Sequence, residues 1–484
     1  MKKYIIIAFA AALTFVSCGK NFLEEAPKLS QSDVLTLSTI DGLDKATAGA
    51  YAPLASTNWY GANFILSNEM QTMNGKRWVS IPKYSSGRYT DEYAVHYTQN
   101  TAKPLWGTAY FVVLSANSVI NNIENVEGDE ATKNNLKAEC LFLRALAHFD
   151  LVRTYAMPYY YAVKASSEPA SLGVPVILES DPEAKPAREP MGKTYELIIA
   201  DLLEAEKLID PSYVRAGGED PYAKVSLTAI QALLSRVYLY SQNWQGAADY
   251  ATKVIESKQY SMWPAEKVKF DATSSVWTEA TRSKGEVIFE VFVNTTQTYG
   301  GGNENVWGMT CYKGYGDCGA SKDLLDLYED NDVRKTLVQP DTKGDGLFTM
   351  KYYGKGLSAI DASNIIVLRL SEMYLNRAEA ILNGAQVTGA SAADDLATIA
   401  NNRGATPLQA TLANVYLERE KELAWEGHLW FDLARTGRDM TRTDVSGTTI
   451  PTEIKAGDYR WAMPIAAREF TVNENLVQND GYGI

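Results

Sequence analysis

Residues 227–256 read LTAIQALLSRVYLYSQNWQGAADYATKVIE. Leu234, Ser235 and Tyr238 share one stripe, a short break follows at Gln242-Asn243, and Trp244, Ala247, Ala251 and Val254 share a second. Spacings of three and four define two amphipathic helices, and so short a break folds the second back on the first. Small side chains at Ser235 and Ala247 allow close approach of the backbones, while Tyr238 and Trp244 fill the space beside the turn. The same period runs upstream from Lys133 to Tyr155, with Leu136, Cys140, Leu143, Ala147 and Leu151 on one stripe. Asp129 offers that helix an N-cap and Pro158 ends the run. A further helix spans about Thr194 to Leu208, stopped by Asp210-Pro211. Trp106 and Tyr110 begin another that continues through Val113, Ala116 and Ile120, and both rings are expected inside. Downstream, Ile366 to Leu382 pairs with Ala392 to Asn402, and one unpaired helix is expected from about Val415 to Arg435.

The 227–256 pair resembles a tetratricopeptide repeat. Repeated pairs of this kind stack into a solenoid, each burying its apolar face on its neighbours. The fold expected is therefore mainly α. Between the helical blocks the period disappears. Residues 56–110 carry ten aromatics, and residues 289–315 carry six in a glycine-rich setting. Glu286 to Val293 reads as a short strand and 295–302 as a loop.

The composition excludes several classes of function. With 46 Lys+Arg against 59 Asp+Glu in 484 residues, the chain has a formal charge of −13 and no basic excess for nucleic acid. His96, His148 and His428 are far apart in the chain and fit no zinc spacing. His148 and His428 fall on helices beside large apolar residues and read as structural. Gly314-Tyr-Gly-Asp-Cys-Gly319 matches a dinucleotide fingerprint but lacks the surrounding βαβ unit. Ser80-Ile-Pro-Lys83 is a chance SxxK, and the loop Asp341–Gly346 has Lys343 where a calcium ligand is needed. Neither a metal nor a cofactor is expected. Glu418, Arg419, Glu422, Asp432 and Arg435 stand at helical spacings that suit a salt network rather than catalysis.

Lys2 and Lys3 precede an apolar run from Tyr4 to Val16, too short for a lasting membrane span and shaped like a signal peptide. It ends Phe15-Val16-Ser17-Cys18-Gly19, a small residue before Cys, like the processing site of a bacterial lipoprotein. Residues 1–17 are read as that signal, with Cys18 becoming the acylated first residue. Acyl chains at roughly 0.8 kcal/mol per buried methylene would hold the protein on a membrane. Residues 18–40 form the tether and N-terminal segment, and 41–484 a single domain. Helix pairs lie mainly within 41–58, 105–260 and 362–438, loop-rich parts within 59–104 and 262–361, and a C-terminal wrap in 439–484. Of the remaining cysteines, Cys140 sits on a buried stripe. Cys311 and Cys318, six residues between them in a glycine-rich loop, are candidates for a local disulfide in an oxidising compartment.

Several longer motifs, in this order, resemble the SusD/RagB family of surface nutrient-binding lipoproteins of Bacteroidetes. They are Phe22-Leu-Glu-Glu-Ala-Pro27, KAECLFLRALAHFDLVR at 137–153, LRLSEMYLNRAEA at 368–380, EREKELAWEGHLWFDLAR at 418–435, and the ending with Pro464-Ile-Ala-Ala-Arg-Glu469 and Asn475-Leu-Val-Gln-Asn-Asp-Gly-Tyr482. Leu429 replaces a common Arg, and Tyr159-Tyr160-Tyr161 stand where relatives usually have an aliphatic residue. The resemblance implies about four tetratricopeptide-like pairs overlaid by an irregular ligand-binding subdomain. It also implies a non-enzymatic role, capturing a glycan, or in some members a peptide, as a lid on a SusC-like TonB-dependent transporter in the outer membrane. A sugar binder needs aromatic platforms beside amide, hydroxyl or charged side chains. In the loops these are Trp59, Tyr60, Asn63, Arg77, Trp78, Tyr84 and Arg88, then Tyr299, Asn303, Trp307 and Tyr312. A lipid-anchored glycoside hydrolase on a helical scaffold is the rival from another class, since two carboxylates suffice for it. The anchor is checked by metabolic labelling with palmitate, which is expected to mark the wild type and not a Cys18→Ala variant.

Overall fold

The computed structural model describes residues 37–181, 183–216, 220–278, 285–293, 303–356 and 361–483. Its longer helices are α1 (Ile40–Tyr51), α2 (Asn63–Met70), α3 (Leu105–Ile120), α4 (Glu130–Tyr155), α5 (Met191–Leu208) and α6 (Leu227–Tyr240). They continue as α7 (Trp244–Glu256), α8 (Leu370–Leu382), α9 (Ala392–Asn401), α10 (Leu412–Leu423) and α11 (Leu429–Arg435). The strands are short: β1 (Gly75–Lys76), β2 (Val287–Val291), β3 (Gly319–Ala320), β4 (Val338–Pro340), β5 (Leu347–Thr349), β6 (Ile365–Arg369), β7 (Met440–Thr441) and β8 (Glu453–Ile454). They form two-stranded antiparallel ribbons, β1–β3, β2–β6, β4–β5 and β7–β8. No helix among the described residues is long and apolar enough to cross a membrane.

The fold is mainly α, and its helices stack in series. α1 lies on α3, α3 on α4, α4 on α5, and so on through α8, which packs against α9 and α10. Asp129 caps α4 as expected, accepting from the Thr132 amide, and Ser226 and Asn243 cap α6 and α7 in the same way. At the α6–α7 contact the Ser235 hydroxyl donates to the Ala247 carbonyl at 3.0 Å and accepts from Asn376 of α8 at 3.1 Å. One small polar residue thus ties three successive helices. Gly246 allows the Tyr238 ring to rest on α7, since a Cβ there would lie 2.9 Å from the ring. Trp106, Tyr110 and His148 are buried in this array.

Two expected helices differ. The stretch from Ile366 opens as β6, paired antiparallel with β2, and becomes helical only at Leu370. The expected helix from Val415 to Arg435 is broken into α10 and α11 by Trp425 and Gly427, whose φ values are +66° and +79°. The break survives because its freed carbonyls are paired. Lys351 Nζ and Arg369 Nη2 donate to the Glu422 carbonyl at 2.8 and 2.7 Å, and Tyr352 Oη donates to that of Trp425 at 2.6 Å.

Around the break lies a buried ionic cluster. Glu422 is bonded to Arg369 at 2.6 Å, Arg403 at 2.7 Å and Arg334 at 2.9 Å. Arg369 and Arg403 also share Glu286, Arg334 reaches Asp332 and Glu418, and Glu426 holds Arg369 and Lys351. Lys421 completes the set against Asp332, so the charges balance. A neighbouring cluster joins Arg419 and Arg435 to Asp432, and Arg435 to Glu379 of α8. The salt network foreseen for these residues is therefore inside the protein rather than on a wet face. Burial works against ionisation of Glu422, but Arg403, Arg369 and Arg334 more than offset it and hold its carboxyl well below the usual range. Glu426 is lowered likewise, against burial, by Arg369 and Lys351.

Removing one partner from such a cluster strands a charge, at a cost of about 3–5 kcal/mol. Arg403→Met is expected to lose stability of that order in guanidinium unfolding. Because the folded values of Glu422 and Glu426 lie below the ordinary 4.5, their contribution is complete above that pH and is lost as pH falls through the depressed values. Melting temperatures measured from pH 8 to pH 3 should therefore decline on the acid side, starting below about pH 4.5.

Candidate functional site

The β1–β3 ribbon, with Gly75 opposite Ala320 and Lys76 opposite Gly319, sets the loop after β1 beside the loop before β3. Two glycines make that contact close. A Cβ on Gly319 would fall 1.9 Å from Trp78 Nε1, and one on Gly316, whose φ is +65°, would fall 2.7 Å from the Tyr84 ring. Trp78, Tyr84 and Tyr312 gather around the buried ring of Phe348 in a second apolar core, with centroid distances of 6.5, 4.9 and 6.1 Å.

This floor projects a rim of side chains. Tyr315, between Gly314 and Gly316, is exposed at the tip of the loop (37%). The Arg88 guanidinium lies 4.5 Å from its ring centroid and donates to Glu304 at 2.5 Å and to Asp317 at 3.4 Å. Lys83 Nζ donates to the Tyr312 carbonyl at 2.6 Å, and Lys313 sits 4.2 Å from the Tyr353 ring while donating to its hydroxyl at 2.5 Å. Three partly open tyrosine rings thus stand beside two lysines, an arginine and two carboxylates. Asp341 is committed within the protein. One carboxylate oxygen accepts from Tyr84 Oη at 2.8 Å and the other from the amides of Lys343 and Asp345.

The structure divides the residues expected to meet a ligand. Trp59 and Tyr60 are core residues, stacked on each other at 5.5 Å and both donating to Asp150 Oδ2 at 2.7 Å. Their indole N–H and phenol O–H need a buried acceptor, and Asp150 of α4 supplies it. Tyr84, Trp307 and Arg77 are also buried, Trp307 donating to the Tyr353 carbonyl at 3.2 Å. These five are therefore not surface platforms. Trp78 and Tyr312 are half-buried around Phe348, and Arg88 and Asn303 are half-buried at the rim. Asn63, also half-buried, lies apart from that rim at the start of α2, accepting from Tyr89 Oη at 2.9 Å. Tyr299 and Cys18 lie outside the described residues. Tyr315, Tyr353, Lys83, Lys313 and Glu304 were missed. Tyr315 carried a readable signal, an aromatic between two glycines with no periodic neighbour to pack on.

Cys311 and Cys318 are unbonded, and both are buried. They face different neighbours: Cys311 lies near Tyr84, Tyr312 and Lys313, and Cys318 near Tyr89 and Lys103. Burial raises both thiols, and raises Cys140 to about 12. Cys140 is the core residue it was expected to be.

The chain matches the family described as "Starch-binding associating with outer membrane" over residues 21–239, and the SusD family over residues 348–482. A SusD-like protein of Formosa agariphila is 25% identical over 539 residues, covering 100% of both chains. A putative sugar binding protein from Bacteroides vulgatus superposes with a TM-score of 0.79 at 27% identity, covering 92% of this chain and 99% of that one. A SusD superfamily protein from Bacteroides thetaiotaomicron gives 0.78 at 27%, covering 91% and 99%. This chain belongs to the SusD/RagB family. As a check on the cysteines, a thiol reagent such as dithionitrobenzoate should leave Cys140, Cys311 and Cys318 unmodified in the folded protein. All three should titrate after denaturation without a reductant.

Proposed function

We propose that this protein is a non-catalytic binder of an oligosaccharide, anchored by Cys18 to the outer membrane and facing outward. It delivers its cargo as a lid to a SusC-like TonB-dependent transporter. The observation that carries the reading is Tyr315, an exposed ring on a glycine-bounded tip with Arg88 against it and Glu304, Lys313 and Tyr353 nearby. A pyranose offers an apolar C–H face ringed by hydroxyls. The ring takes the face, and the charged groups beside it take the hydroxyls. The sugar-binding name of the 27%-identical neighbour from Bacteroides vulgatus and the starch-binding, outer-membrane description of the matched family point the same way.

The buried helical array serves this role by holding the loops in place. Phe348, Trp78 and Tyr84 pack under the rim, so the platform is largely formed before a ligand arrives, and little ordering entropy is lost on binding. The acidic groups near Tyr315 are already committed to Arg88 and to backbone amides, which suits recognition rather than hydrolysis.

Isothermal titration against a panel of oligosaccharides tests the reading. One glycan class should bind at micromolar strength. Tyr315→Ala should weaken it about ten-fold, the effect of losing roughly 1.4 kcal/mol, while melting unchanged. No reducing sugar should be released during incubation. Equal affinity of wild type and Tyr315→Ala for every binding member would remove the site.

A further inference from the structure

Among the described residues three tyrosines are more than a third exposed: Tyr315 at 37%, Tyr160 at 38% and Tyr459 at 42%. Tyr315 belongs to the rim. The other two come from remote parts of the chain and share a surface of their own. After Pro158, the helical turn Tyr159–Ala162 places its three rings in three settings. Tyr159 packs on Tyr195 of α5 at 5.0 Å. Tyr161 lies at the ends of the β7–β8 ribbon, its hydroxyl 3.3 Å and its ring 3.5 Å from where a Cβ would stand on Gly437 and Gly457. Tyr160 is left outside, 5.2 Å from Tyr161, with Lys164 Nζ 4.0 Å from its ring centroid. Tyr459 stands two residues beyond Gly457. Its ring rests on Gly481, where a Cβ would fall 2.3 Å from Cδ2, and meets Tyr482 edge-on at 5.1 Å. Ser167 Oγ donates to Asp480 Oδ2 at 3.0 Å, a second tie between the Tyr160 segment and the Gly481 turn.

Tyr459 repeats the arrangement at Tyr315. There an exposed ring is bounded by glycines, with Arg88 beside it and held by Glu304 and Asp317. Here an exposed ring rests on a glycine, Arg460 lies 6.0 Å from its centroid, and Asp458 accepts from Nε and Nη2 of that arginine at 2.8 and 2.7 Å. With Gly481 under one face and 42% of the residue in solvent, the opposite face is open. A pyranose covers such a face with its C–H groups, and Arg460, Lys164 and the tyrosine hydroxyls stand beside it for the sugar hydroxyls. A protein interface asks for more, about 800 Å² per partner around an apolar centre. The large exposed apolar side chains here are two rings and Val163, set among Lys164, Ser166, Ser167 and Arg460. Arg460 is paired with Asp458, and Lys455 with Asp439 and Glu453, so no cationic excess selects an acidic sugar. We infer that Tyr459, with Tyr160 beside it, forms a second binding site for a neutral oligosaccharide, separate from the Tyr315 rim. The site draws on no residue of that rim. Its single open ring with one flanking ring makes it the weaker of the two.

Calorimetric titration of the intact protein with maltoheptaose, cellohexaose, mannohexaose and xylohexaose, carried to millimolar probe, tests this. The wild type is expected to show a second, weaker saturation with at least one of them, and Tyr315→Ala is expected to retain it. On the Tyr315→Ala background, adding Tyr459→Ala should weaken that event about ten-fold, and adding Tyr160→Ala about three-fold. Tyr160→Ala should melt with the wild type and decides the matter if Tyr459→Ala disturbs the turn at Gly481. A Tyr315→Ala protein that binds none of the four, or binds one equally well after both further substitutions, overturns the second site and leaves the first standing. Wild-type binding that is indifferent to Tyr315→Ala and lost with Tyr459→Ala removes the rim and keeps the second site. A wild type that binds no probe overturns both. A Tyr459→Ala variant that keeps every glycan affinity but no longer retains a membrane-protein partner in detergent extracts makes the surface a protein interface and likewise overturns the site.

Discussion

Glu422 is reached by three arginines that come from three separate parts of the chain: Arg334 from the loop-rich region, Arg369 from the end of β6 and Arg403 from the turn after α9. An isolated carboxylate could not survive there, and three isolated guanidiniums could not either. The charges are tolerable only when all four elements are in place at once. The cluster therefore acts as a register pin between the helical stack and the irregular subdomain. It also explains why the chain breaks its helix at Trp425 and Gly427: the break frees the Glu422 and Trp425 carbonyls, which Lys351, Arg369 and Tyr352 then use as further anchors.

That pin matters for the candidate ligand surface. Lys351 follows Met350 in the core that holds Phe348, and Phe348 is the ring on which Trp78, Tyr84 and Tyr312 assemble. Ionic contacts below and aromatic contacts above thus share one short segment. The rim then depends on glycines where a side chain would collide, Gly316 under Tyr84 and Gly319 under Trp78. What reaches solvent is set by these close approaches. Tyr315 is open because the residues around it are used to close the floor.

Helix positions were legible wherever one face was apolar at helical spacing. The cap at Asp129, the turn at Gln242-Asn243 and the close contact between Ser235 and Ala247 were all readable from residue type and interval. The strand β6 was hidden because Ile365 to Arg369 is buried throughout, and a short continuous apolar run does not distinguish strand from helix. The broken helix was hidden for a different reason. Its sequence has good helical periodicity on both sides, and only distant partners make the left-handed residues affordable.

The aromatic loops show the boundary most clearly. Composition placed many Trp and Tyr residues in two non-periodic stretches, and their number and chemistry are properties of the sequence alone. Which of them face water is not. Trp59 and Tyr60 are drawn inward by Asp150, ninety and more positions away, and Trp307 by the Tyr353 carbonyl. Local pattern determined the helix-pair architecture, the signal-like start and the lack of a zinc spacing, because each depends on neighbours within a few residues. Exposure in loops depends on which remote acceptor or ring a side chain meets, and only the assembled chain decides that.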